Sequence, residues 1–200
     1  MNVIKTNLIT EACFSDDGDK RYLLKKVWEP EKPRLAIVML APSGAAGIEL
    51  DTTTQLVLNN ASRLGYGSVS IVNLFAKLND FSLRGAEEED PENMDAIVQA
   101  VGDADMIVYA PGVGKAKSKV FQRRQEQVLR VLQPYEGKLH CLCDGTGDAR
   151  LQHPLSPAVR FWELSPLKVS EILTEPIKEV SEPSRKRRTK KEGIEKVETG

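Results

Sequence analysis

Arg34-Leu-Ala-Ile-Val-Met-Leu-Ala-Pro-Ser-Gly-Ala-Ala-Gly47 decides how the rest of the chain is read. Leu35 to Leu40 form a continuous apolar run that stops at Pro42, and small residues lead on to a polar helix start near Asp51. An apolar run of this length, closed by a turn, suits a strand buried on both faces of a sheet. In an open α/β sheet the carboxyl end of such a strand presents ligand-binding groups. Two later strands deliver polar groups to the same edge. Asn73 follows Val69-Ser-Ile-Val72, and the segment from Asp144 to His153 follows Lys138-Leu-His-Cys-Leu-Cys143.

Working outward, Arg21 to Trp28 reads as a first strand at a sheet edge, since it is less uniformly apolar, and Glu29-Pro-Glu-Lys-Pro33 ends it. Thr52-Thr-Thr-Gln55 has the form of a capping box, and Leu56, Val57, Ala61 and Leu64 follow at helical spacing before Gly65. Gly67 to Leu74 is the next strand, and Lys77 to Asn93 a long surface loop with an acidic run at 87–90. A helix over 91–101 precedes the strand Met106-Ile-Val-Tyr109. Ser118 to Leu132 is the clearest helix, with Phe121, Gln125, Val128 and Leu132 on one stripe and Arg and Gln elsewhere. Leu139 to Cys143 is the last strand. The alternation predicts a three-layer α/β/α domain with a mostly parallel central sheet over residues 1–174. Phe161, Trp162 and Leu164 are expected to fold back on it, and residues 175–200 to form a disordered basic tail.

Composition narrows the class. Two hundred residues, 40% hydrophobic and 28% charged, describe a soluble globular chain, and the net charge of −1 argues against a surface built wholly for nucleic acid. The average hides a split: Ser181 to Gly200 carries seven Lys/Arg against four Asp/Glu, and six of the seven positions 185–191 are basic. Arg185, Lys186, Arg187, Arg188, Lys190 and Lys191 therefore form a candidate phosphate-binding arm. Cys13, Cys141 and Cys143 have no disulfide spacing, and no apolar stretch approaches the roughly 20 residues of a membrane span. A reduced, cytoplasmic setting without membrane contact is predicted.

Several motifs fail. Pro111-Gly-Val-Gly-Lys115 lacks the first glycine of a phosphate loop and has Ala116 where a hydroxyl is needed. Gly145-Thr-Gly147 lacks the third glycine of a dinucleotide fingerprint, and prolines spoil the helix that should follow. His140, Cys141, Cys143 and His153 are poorly set for zinc, because neighbouring strand residues point to opposite faces. No metal and no cofactor is predicted.

What remains is an ordered set at the strand ends: Ala41-Pro-Ser-Gly44, Asp51-Thr-Thr-Thr54, Gly65-Tyr-Gly67 with Val72-Asn-Leu-Phe75, Ala110-Pro-Gly112, and His153-Pro-Leu155. Over about residues 21–156 this set resembles the family called domain of unknown function 1643. That family's pattern has an Asn-Pro-Ser turn where this chain has Ala41, and Trp-Gly where it has Pro111-Gly112. A looser resemblance is to the uracil-DNA glycosylase superfamily, which implies that three-layer fold, nucleobase, nucleotide, DNA or RNA as partner, and N-glycosidic cleavage as the chemistry. On that resemblance Ala41, Pro42 and Ser43 form the water-activating turn, Asn73 reads a base edge, Phe75 stacks on it, and His153 donates to the departing base. Alanine cannot orient or deprotonate water, so catalysis is either lost or moved, with Asp51 the carboxylate at hand. A non-catalytic interaction protein and an enzyme acting on an unrelated small metabolite are the contrasting readings.

Overall fold

The computed structural model describes residues 1–83, 90–143 and 151–173. Seven strands form one sheet: β1 (Ile9–Phe14), β2 (Arg21–Val27), β3 (Arg34–Met39), β4 (Ser68–Asn73), β5 (Met106–Tyr109), β6 (Leu139–Cys143) and β7 (Glu163–Pro166). Their spatial order is β1-β2-β4-β3-β5-β6-β7. The parallel sheet expected from the alternation is its inner four strands, β4-β3-β5-β6, while β1, β2 and β7 extend it antiparallel. The apolar run from Leu35 to Leu40 lies at the centre, with Leu35 to Val38 essentially inaccessible between β4 and β5.

Helices cover both faces. On one, α1 (Thr52–Arg63) buries Val57 and Ala61 against Leu24, Leu35, Ile37, Met39, Val69 and Ile71. On the other, α2 (Pro91–Asp103), α3 (Lys119–Leu132) and the short α4 (Val169–Leu173) cover Ala36, Val38, Val72, Ile107 and Tyr109. Each parallel crossover places its helix as a right-handed connection requires: β3 to β4 moves one way across the sheet, and β4 to β5 and β5 to β6 move the other. The direction changes at β3, so a crevice opens at its carboxyl end.

Four expectations are corrected. β2 is an inner strand, because β1 pairs along its outer side through the Ser15–Asp19 turn. Asp51, not Thr52, caps α1, its carboxylate accepting from the Thr54 amide at 2.7 Å. On α3 the stripe holds Arg124 rather than Gln125; its Nε donates to the Leu74 carbonyl at 2.7 Å, so a charge sits in the core. Trp162 is 2% exposed within the α1-side core, whereas its neighbour Phe161 is 79% exposed with Arg63 beside its ring. The expected basic tail lies outside the described residues, as does the stretch 144–150.

Asn60 explains why the coil after His153 is held. Its Nδ2 donates to the carbonyls of Leu56 and Arg160, and its Oδ1 accepts from the Trp162 amide and Arg63 Nη2. Gly67, just before β4, is required where it meets the turn between β2 and β3, because a Cβ there would fall 1.8 Å from the Glu29 carbonyl oxygen. Trp162→Ala should cost about 3–5 kcal/mol, the usual range for emptying a buried aromatic site. Phe161→Ala should cost less than about 1 kcal/mol, its ring having only an exposed cation for company. Urea midpoints of the two variants check this, and equal losses would refute it.

Candidate functional site

The crevice at the end of β3 is a cavity of about 310 Å³, lined by Met39, Leu40, Ala41, Ser43, Asp51 to Thr54, Arg21, Phe81, His153 and Leu155. Five separate parts of the sequence meet there, the loop after β4 supplying Phe81. β3 supplies its floor, the start of α1 its hydroxyl-rich wall, β2 a cation, and the coil after β6 an imidazole.

The polar groups are tied together. Ser43 Oγ donates to one oxygen of Asp51, and the Thr54 amide donates to the other. Burial alone would raise the Asp51 carboxyl, but these bonds and the nearby Arg21 guanidinium outweigh it and hold the group below the ordinary carboxylate value. Arg21 is buried beside it and spends Nη1 on the carbonyls of Ser43 and Ala45, leaving Nε with no partner. Arg21 reaches this face because the pairing of β1 with β2 shifts between Cys13 and Phe14, so that Arg21 and Tyr22 share one position opposite Phe14. A bulge of this kind re-aims a side chain. Tyr22 accordingly faces α2, where its hydroxyl donates to Glu92, and Arg21 faces the cavity.

His153 is fixed from two sides. Its Nδ1 accepts from the Leu155 amide at 3.2 Å, so the neutral ring carries its proton on Nε2. Behind it Gly112, at the end of β5, adopts φ +81°, and a Cβ there would lie 3.0 Å from the His153 Cβ. Burial pushes the imidazole below its ordinary value, the Asp51 carboxylate opposing only in part. His153 is therefore a neutral donor at pH 7.

Asn73 and Phe75 fare differently from the others. Asn73 stands in register beside Met39 of the cavity floor but does not itself line the cavity; it is 1% exposed, and neither atom of its amide has a hydrogen-bond partner. Phe75 is 3% exposed in the opposite core, with Val72 and Leu74, so it does not line the cavity. β4 ends at Asn73, and the alternation that would have put Phe75 beside it ends there too. The aromatic at the cavity is Phe81, 51% exposed, in a loop where Asn79 accepts from the Gly44 amide and donates its own amide to the Pro42 carbonyl. Pro42 is buried beneath this turn. Arg21 and Phe81 carried no sequence signal, since one depends on a bulge and the other on a loop path. Among the described residues no cluster of three or more His, Cys, Asp or Glu is gathered for a metal. No described helix is long and apolar enough to cross a membrane.

With this geometry the strand-end motifs acquire structural positions, and residues 21–155 match the family described as protein of unknown function (DUF1643). The chain belongs to that family. The matched span begins at Arg21 and ends at Leu155, both of which line the cavity. Neither a search of curated proteins nor one of solved structures returned a match.

Two predictions follow from the supports of His153 and Asp51. Gly112→Ala should destabilise the protein by about 1–3 kcal/mol, because an alanine is forced to a positive φ against the ring; a urea midpoint equal to that of the parent would refute it. In the pH dependence, His153 has a folded value below the unfolded 6.5, so the unfolded chain binds more protons in that window and stability falls as pH drops through 6.5. Asp51 adds a second loss, but only as pH falls through its unfolded value of 3.8. His153→Asn should remove the first loss and keep the second, as read from stability measured between pH 8 and pH 3.

Proposed function

We propose that the cavity binds a nucleobase or the base of a nucleotide, and that binding rather than cleavage is what this chain retains. The observation that carries the reading is Asn73, which does not itself line the cavity but stands beside Met39 of its floor with both amide atoms unpartnered. A buried amide with both donor and acceptor unspent is costly, at about 1–3 kcal/mol for each unsatisfied group. It is also matched to a ring edge that alternates acceptor and donor. His153 supports it by presenting one N–H with no partner among the described residues, suited to a carbonyl oxygen. Phe81 supplies an exposed aromatic face at the cavity, on which a planar ring could lie. A volume of about 310 Å³ suits one ring and its substituents, and falls at the small end of ligand sites.

Cleavage asks more. Base release by hydrolysis needs water oriented at the anomeric carbon, and Ala41 offers only a methyl group. Asp51 is a poor substitute, since Ser43, Thr54 and Arg21 occupy it and keep its carboxyl acidic. Its work here is to cap α1 and hold the 43–45 turn. The likeness to glycosylases at the level of fold belongs to the same proposal, and rests on the order of the strand-end motifs and the crevice at β3.

A thermal-shift panel of free bases, nucleosides and nucleotides, run beside Asn73→Ala, tests the binding. A ligand at one hundred times its dissociation constant should add about 2.7 kcal/mol of stability to the parent. The variant should lose that shift while remaining folded. A flat panel, or equal shifts in both proteins, would sink the reading. Ala41→Asn tests the lost chemistry, with base release from a DNA duplex containing a deaminated cytosine expected only in the variant.

A further inference from the structure

A second concavity lies far from the cavity, on the face covered by α2. It encloses about 500 Å³ between α2 and the strands β1, β2 and β4. Leu23 and Ser70 belong to its floor, and α2 forms its wall with Glu92, Asp95, Gln99 and Asp103, each one helical turn from the next. Glu11 joins them from β1. Against these four carboxylates stand two cations, Lys25, which pairs with Glu11 at 3.8 Å, and Arg34, which is already paired with Asp105. The groove is an acidic trough over a floor of mixed polarity.

We infer that this trough is the docking site of the chain's own basic segment, residues 185–191. Charge complementarity is the first ground: six cations in seven residues face four carboxylates, of which only Glu11 has a local cation, Arg34 being taken by Asp105. Length is the second. The wall from Glu92 to Asp103 runs about 16 Å along the helix, and seven extended residues run about 23 Å, so the segment covers the wall from end to end. Reach is the third. The described chain ends at Leu173, packed on the same face of the sheet as α2. From Leu173 to Arg185 the chain can span about 40 Å, while β6, where α4 sits, lies four strand spacings from β2, about 19 Å. The excess covers a path over α3 and α2. α2 also has an unfavourable acid, Asp103, in a last turn with no basic residue of its own, where added positive charge is favoured. Lys138 reaches the Ala104 carbonyl nearby and leaves Asp103 itself to the trough.

Docking protects the segment from proteolysis to the extent that the docked state is populated. The test is timed trypsin cleavage of the full chain, read by mass at Arg185 to Lys191. The parent is compared with Asp95→Asn/Asp103→Asn, and with a control that removes two acids elsewhere, Asp16→Asn/Glu49→Gln. At low salt the trough variant should be cut about tenfold faster than parent and control, since cleavage tracks the undocked fraction. The difference should vanish near 1 M salt, where the screening length falls to about 3 Å. Equal rates in all three proteins at low salt would overturn the inference. Slowing by added oligonucleotide, with no dependence on Asp95 and Asp103, would also overturn it and assign the segment to nucleic acid.

Discussion

Two buried cations on one strand carry the turn on which the cavity depends. β3 ends at the centre of the sheet, and the chain then leaves it through residues 42–50, whose carbonyls have no ladder to join. Buried backbone carbonyls need partners. Arg21 takes those of Ser43 and Ala45, and Lys26 takes that of Gly47 while also reaching Thr10. Among the described residues neither cation forms a salt bridge with a carboxylate; Arg21 has Asp51 nearby, and burial lowers the pKa of both. Their cost is offset by several charge-assisted bonds to one loop, which is the condition under which a buried charge is tolerated. Without β2 in the interior of the sheet these side chains would not reach the turn, and the wall of the cavity would be undetermined.

The same economy holds on the opposite side of the crevice. The His153 loop has no strand of its own, so its position is inherited from contacts at both ends. Gly112 gives it a surface with no side chain to displace it, and Asn60 pins residues 160–162 to α1. A helix that packs on the sheet thereby fixes a coil a hundred residues later, and the coil delivers the imidazole. The site is therefore a product of topology: five segments of the chain converge because β3 is where the crossovers change direction.

Much of this was legible in the residues. Long apolar runs bounded by turns announced β3, β4, β5 and β6, and helical spacing announced α1, α2 and α3. Ala41, Ser43, Asp51 and His153 could be grouped because strand ends share an edge. β1 and β7 escaped, since Ile9–Phe14 is mostly exposed and Glu163–Pro166 carries a proline, and each exists only because a distant strand offers it an edge. Arg21, Lys26 and Arg124 escaped for another reason. A charge in the core is decided by which carbonyls it can reach, and no local pattern records that. Phe75 was assigned on the glycosylase resemblance alone, and the structure places it in the opposite core instead.

The charge state of the cavity follows from these placements. Asp51 stays ionised because its hydrogen bonds, the start of α1 and Arg21 all favour the anion, against a burial penalty that favours the acid. His153 stays neutral because burial opposes its cation more than Asp51 attracts it. Both groups are displaced downward, by opposite balances of the same two forces. Between their titrations the site holds one carboxylate, one guanidinium and a neutral imidazole, and its formal charge is zero. An ionic ligand entering such a space would give up hydration without finding a net counter-charge, while an uncharged ring loses little and gains directed hydrogen bonds. On the proposed reading, selectivity for a polar, neutral edge would come from the way Arg21 and Asp51 cancel, which traces back to the one-residue bulge that turned Arg21 toward the cavity.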